Sequence, residues 1–403
     1  MPRSVAPDVR NARAAVAALF FTNGAVFADF VPRYPELKSA LGLSNEALGS
    51  AIAGFPLGAL IAGLFAAPLI ARFRSARVAS AGIPLLALAI LLLAFARNWA
   101  AVAAVMFVAG ALDSVIDVAQ NAHGLRVQRL YGRSIVNSFH GVWSVGAVTG
   151  GLLGSAAAGL RLPLAVHLGV GAAVFSAVAL LAYRFLLPGS DDTEREGRAA
   201  MGADAPPIRL RAGLRTVRAA TVRILFALGA LAALGAVVED AGASWGALYL
   251  RNDLGTSAAV GGLAFVVLSS AMTVGRLTGD RFVDRFGQRT VVRWGGAITA
   301  FGMGAALAFP SLAMTLVGFG LAGIGVATLV PAAMHSADEL RGLPNGVGLT
   351  VVSWLLRAGF LVSPPLVGLV ADASSLRVGL LGVVMAGAGA LVLGRLLVNA
   401  TGS

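Results

Sequence analysis

Twelve stretches of about 20 mostly apolar residues follow one another along this chain, and that recurrence limits what it can fold into. A stretch of that length crosses the hydrocarbon core of a bilayer as a helix. Only helices and closed barrels satisfy all their backbone polar groups in lipid. The stretches are continuously apolar rather than alternating, which selects helices over barrel strands. They lie at roughly 14–32, 46–70, 77–96, 99–124, 135–159, 163–187, 222–249, 257–279, 290–309, 311–333, 345–370 and 376–399. The expected fold is an all-α integral membrane protein with twelve transmembrane helices.

Composition closes off other classes. Charged residues make up 12% of the chain against 58% hydrophobic, about half the charge of an ordinary soluble domain. The net charge of +12 invites a nucleic-acid reading, but the arginines sit in short loops between spans, so the expected partner is the lipid bilayer and not nucleic acid. Cysteine is absent, which excludes disulfides, thiolate metal sites and cysteine nucleophiles. There is no phosphate loop, histidine-rich cluster or nucleophile motif, so neither an enzyme nor a cofactor or metal is expected. The first apolar run is long and lacks a cleavage site, so no cleavable signal peptide is read.

The basic residues set the orientation. Arg3, Arg10 and Arg13 precede span one; Arg72, Arg74 and Arg77 follow span two; Arg126, Arg129 and Arg133 follow span four; Arg281, Arg285, Arg289 and Arg293 follow span eight. The alternate loops hold only Arg33, Lys38, Arg97, Arg161, Arg251 and Arg377. Both termini are therefore expected on the cytoplasmic side of a bacterial inner membrane. The longest polar stretch, 188–221, reads as a cytoplasmic linker with a short amphipathic helix around 208–218, separating an N-terminal bundle (1–187) from a C-terminal bundle (222–403).

The two halves repeat. At a shift of 213 residues Leu41-Gly42-Leu43-Ser44 falls on Leu254-Gly255-Thr256-Ser257, Arg72-Phe73 on Arg285-Phe286, and Gly110 on Gly323. Between spans eight and nine the chain reads Gly279-Asp280-Arg281-Phe282-Val283-Asp284-Arg285-Phe286-Gly287-Gln288-Arg289. This pattern resembles the loop motif of the major facilitator superfamily. The resemblance implies two pseudo-symmetric six-helix bundles, a cavity lined by spans one, four, seven and ten, and a latch built from Asp280, Asp284 and Arg285. Plain positive-inside anchoring is the alternative. The first-half counterpart, Ala66 to Arg74, has lost both the aspartates and the glycine.

Ionisable groups inside spans are expensive and mark function. Asp29 lies in span one, Asp113 and Asp117 in span four, Glu239 and Asp240 in span seven, and Arg357 in span eleven. A carboxylic acid withdrawn from water favours its neutral form and can exchange a proton near neutrality, so the five acids are proton-coupling candidates. Shifted by 213, Asp29 lands close to Glu239 and Asp240. Arg357 cannot lose its proton and needs an anion, supplied by substrate or by an acid such as Asp113 or Glu239.

Asp117-Val118-Ala119-Gln120-Asn121 and Asp29-Phe30-Val31-Pro32 resemble the span-four and span-one acid segments of the fucose-permease-like branch. That likeness implies sugar–proton symport, with Asp29 and Asp117 in coupling and Asn121 in solute contact. Asn137, His140, Trp245, Trp354 and Arg357 complete the substrate-contact candidates. Trp245 and Tyr249 at the end of span seven also suit interfacial anchoring. The expected function is a monomeric, proton-coupled secondary transporter of a small polar solute, sugar-like or an organic anion. The second reading is an exporter of small amphipathic compounds or drugs, and the third a membrane sensor that has lost transport.

Overall fold

The computed structural model describes residues 6–131, 135–189, 219–338, 340 and 347–397. Among them twelve helical spans are long and apolar enough to cross a membrane: Pro7–Leu41, Asn45–Gly63, Ser75–Phe95, Trp99–Tyr131, Ser138–Gly159, Leu164–Tyr183, Thr221–Asp253, Ala258–Gly279, Gln288–Ala308, Leu312–Ala337, Val347–Ala373 and Leu376–Leu396. They are numbered one to twelve below. No strand occurs among the described residues. The count and order agree with the hydropathy reading. Spans one and four run furthest past their expected ends because helix outlasts the apolar run. Span one continues through a 3-10 turn at Val31–Arg33 into the helix Tyr34–Leu41, where Pro35 falls in the first turn, whose N–H groups have no partner inside the helix. Span four continues to Tyr131, where Arg126 donates to the carbonyls of Leu187 and Pro188. Residues 190–218, which include the amphipathic segment expected at 208–218 and most of the linker, lie outside the described residues.

The chain forms two compact units. The described parts of Met1–Arg33 and Gly54–Pro207 make one; those of Tyr34–Ala53 and Ile208–Ser403 make the other. Span one leaves the first unit at the end of its 3-10 turn. Span two returns at Ala53, between the helices Asn45–Ile52 and Gly54–Gly63. The helix Asn45–Ile52 is held at its start within the second unit. Ser44 caps it by accepting from the Ala47 N–H at 3.0 Å. Asp372, at the end of span eleven, accepts from the N–H groups of Asn45 (3.0 Å) and Glu46 (2.7 Å) and from Asn45 Nδ2 (2.8 Å). These donors have no partner inside the helix, and a carboxylate at a helix N-terminus also opposes its dipole.

The internal repeat is written in the backbone. Gly42 (φ 60°) and Gly255 (φ 64°) share a left-handed turn before spans two and eight. Arg74 (φ 72°, ψ 145°) and Gly287 (φ 80°, ψ 146°) share a second, before spans three and nine. The Arg74 N–H closes onto Ile70 O and the Gly287 N–H onto Val283 O, again at equivalent positions. Gly110 packs on the backbone of Phe55 as Gly323 packs on that of Leu268. The region expected as a loop at 279–289 is mostly helix: Leu263–Phe286 runs through it, and a single residue, Gly287, breaks the chain before Gln288. Charged residues extend the span past its apolar run without ending the helix.

The φ, ψ of Arg74 and Gly287 belong to a region that suits glycine alone, and a side chain there costs about 1–3 kcal/mol. Arg74→Gly should therefore raise the stability of purified protein by about 1 kcal/mol or more, and Gly287→Ala should lower it by a similar amount; thermal unfolding in detergent measures both. Asp372→Ala should cost about 1 kcal/mol through the lost cap.

Candidate functional site

In the first unit span one is held against span five by glycines. A Cβ at Gly24, Gly146, Gly150 or Gly154 would strike backbone atoms of the facing span, so the two helices meet main chain to main chain. Asp29 lies on this seam with its backbone against Gly150 and Gly154 and its Oδ2 over Gly171 of span six. It is buried. Its Oδ1 lies 2.9 Å from Nε2 of His167, at the start of span six. The other ring nitrogen, Nδ1, lies 3.2 Å from Arg33 Nη1, and Arg33 Nη2 donates to Leu162 O at 2.7 Å. A guanidinium has donors only, so Nδ1 accepts and the proton of a neutral imidazole sits on Nε2, which donates to Asp29. The three side chains form one chain of donors: Arg33 to His167 to Asp29.

A second chain joins spans five, one and four. Trp143 Nε1 donates to Asn23 Oδ1 at 2.9 Å, and Asn23 Nδ2 donates to Asp113 Oδ1 at 2.8 Å. The indole N–H can only donate, which fixes the amide orientation. One helical turn along span four, Asn121 Nδ2 donates to Asp117 Oδ1 (3.0 Å) and to the Asp117 carbonyl (2.9 Å). Asp113 and Asp117 share a half-buried face, as their spacing requires. His140 does not join either chain; its exposed ring packs edge-on against Phe20, with centroids 5.3 Å apart. The side chain of Asn137 lies outside the described residues.

In the second unit the adjacent acids of span seven diverge. Glu239 is half-buried and pairs with Arg276 of span eight at 3.3 Å; Arg357 is not its partner. Asp240 is buried and accepts from Ser244 Oγ at 2.6 Å. Ser363 of span eleven lies beside it, yet Asp240 Oδ2 and Ser363 Oγ complete no hydrogen bond among the described residues. Past Asp240 the span passes through π-helical turns at Ala241–Trp245 and Tyr249–Asp253. Gly146 packs on Phe21 where Gly359 packs on Ala233, a shift of 212 in spans one and seven that becomes 213 by Gly42 and Gly255. The π turns take up the extra residue. The counterpart of Asp29 is then Ala241, and Asp240 stands one residue earlier on a different face.

Trp245 and Tyr249 are fully buried rather than interfacial, and Trp245 Nε1 and Tyr249 OH have no hydrogen-bond partner among the described residues. Interfacial anchoring is therefore not their role. Span seven runs on to Asp253 and carries both inside. Trp354 is exposed, and Arg357 is half-buried with no ion pair among the described residues. In the charged motif Gly279 admits Thr328 of span ten. Arg281, Asp284, Arg285 and Arg289 are exposed, and the Arg285 guanidinium sits 5.4 Å from the Phe286 ring centre. The side chain of Asp280 lies outside the described residues. Sequence reading missed Asn23, Arg33, His167 and Arg276. Buried polar types inside or beside apolar runs were the available signal, but their partners are distant in the chain.

The profile of the Major Facilitator Superfamily matches residues 15–239 and 225–402. The membrane protein MosC of Rhizobium meliloti is 31% identical over 93% of this chain and 87% of its own length. An uncharacterized MFS-type transporter of Yersinia pestis is 29% identical over 89% of this chain and 88% of its own. Among solved structures, the nucleoside transporter NupG superposes with a TM-score of 0.74 at 14% identity, covering 96% of this chain and 98% of its own. A D-xylose–proton symporter gives 0.67 at 14% identity, covering 96% of each chain. At such identity these two likenesses concern the fold.

Replacing Asn23 by Ala removes both the acceptor of Trp143 Nε1 and a donor to Asp113. It should cost about 1–2 kcal/mol of stability, whereas Asn121→Ala, whose two bonds stay inside one helix turn, should cost less than about 1 kcal/mol. Thermal unfolding of the two variants side by side checks the ranking.

Proposed function

The chain belongs to the Major Facilitator Superfamily, a membrane transporter and not an enzyme, and on that premise we propose that it moves a small polar solute together with protons by alternating access. The observation that carries this reading is the set of acids held inside the spans of the first unit, each hydrogen-bonded to a polar side chain: Asp117 to Asn121, Asp113 to Asn23, and Asp29 to His167. Acids in lipid-crossing helices are costly and mark ion or substrate pathways. The hydrogen bond between Asp117 and Asn121 also supports the likeness to the fucose-permease-like branch, with Asp117 as proton carrier and Asn121 as solute contact. The D-xylose–proton symporter among the solved neighbours is in keeping with a sugar-like solute. Arg357, lacking an ion pair among the described residues, is the group to meet an anionic solute.

In this reading a monomer sits in a bacterial inner membrane with both termini cytoplasmic, as the arginine distribution supports. The halves 1–187 and 222–403, joined by 188–221, rock about a midplane site. In proteoliposomes, one member of a panel of monosaccharides, nucleosides and organic acids should drive proton uptake alongside itself. That uptake should fall to background in Asp117→Asn. Proton movement opposite to an amphipathic cation would instead make the protein an exporter. No proton movement with any solute would overturn coupling.

A further inference from the structure

The chain Arg33–His167–Asp29 places a fixed cation on the nitrogen that a proton would need. His167 holds Nε2–H toward Asp29 and turns its Nδ1 lone pair to Arg33. A proton arriving at Nδ1 would set an imidazolium against a guanidinium, two buried like charges in contact. A proton and Arg33 therefore exclude each other at Nδ1. In both states Asp29 has one compensating cation: guanidinium relayed through a neutral ring, or imidazolium directly.

Among the described residues Asp29 and His167 make no other hydrogen bond or ion pair to a charged side chain. Span five presents Gly150 and Gly154 to Asp29, and span six presents Gly171 and His167. On span four, Asp113 is bound to Asn23. Span three carries Arg77, which lies beside Tyr183.

Arg33 also occupies a particular place in the chain. It is the last residue of the 3-10 turn Val31–Arg33 and of the first unit; Tyr34 belongs to the second. A 3-10 stretch inside a longer helix often marks a hinge, and this one carries at its end the residue whose side chain meets His167.

We propose that the Asp29–His167 pair is an exchange site at which the Arg33 guanidinium and a proton alternate, with the Val31–Arg33 turn carrying the guanidinium in and out. This rests on the proton-coupled reading above and assigns its first-unit step to specific atoms. When the turn withdraws Arg33, a proton from the aqueous phase binds Nδ1. When Arg33 returns, that proton is expelled to the side then open.

The test uses full-length protein with ¹⁵N-labelled histidine. The chain has four histidines, and His167→Gln identifies the signal of interest; a glutamine amide has one donor group and one acceptor and takes up no further proton. In wild type at about pH 7, His167 should show an unprotonated Nδ1 and a protonated Nε2. A protonated Nδ1 there would overturn the proposal, and this arm needs no variant to fold. At about pH 6, near the ordinary imidazole range, Arg33→Gln should raise the imidazolium population of His167 severalfold, and Arg33→Lys, which retains the cation, should stay close to wild type. No difference between Arg33→Gln and wild type would overturn it. The same preparations in proteoliposomes separate the two claims. A His167 that responds to Arg33 while no solute moves protons leaves the exchange site standing and removes symport. Solute-driven proton uptake with an unresponsive His167 does the reverse.

Discussion

Main-chain contact between spans one and five is the condition on which the polar chemistry of the first unit rests. Lipid tails are as apolar as leucine, so helices gain little from burying apolar side chains against each other there; close approach through small residues gives the attraction instead. Gly24, Gly146, Gly150 and Gly154 supply it. The same closeness packs protein around Asp29, so its carboxylate must be met by protein groups. Gly171 leaves the space for Oδ2 and His167 meets Oδ1. Side chains at the glycines would move span one outward and part Asp29 from His167.

The second unit repeats this packing at Gly359 and Ala233 but puts Ser363 where the first has Gly150. That serine lies beside Asp240, whose Oδ2 completes no hydrogen bond among the described residues. Two similar helix pairs thus hold their acids differently. The first meets Asp29 with His167, itself met by Arg33; the second meets Asp240 with Ser244 and has Ser363 beside it.

The twelve spans and the repeat were legible because their signals are local: apolar runs, arginine between them, and turn residues at a constant shift. The partners of the acids were not. His167 is 138 residues from Asp29, and Asn23 is 90 from Asp113; nothing near any of them announces the pairing. By contrast, Asp117 and Asn121 could be matched in advance because one helical turn separates them. Trp245 and Tyr249 suit interfacial anchoring in the sequence because they stand near the end of an apolar run, while in the structure the helix continues beyond them through π turns that a 3.6-residue period does not contain. The charged motif after span eight read as loop for a related reason: hydropathy marks where lipid ends, not where helix ends.

Arg74 shows how long geometry can outlast spelling. The two halves descend from one pattern, and both still make the same left-handed step between consecutive helices. Only the second retains the glycine for which that step is natural. In the first, an arginine has inherited a torsion angle it would not choose, held there by the helices on either side. Common ancestry in this chain is recorded more faithfully in its dihedral angles than in its letters, and a search for the motif alone would count the first copy as lost.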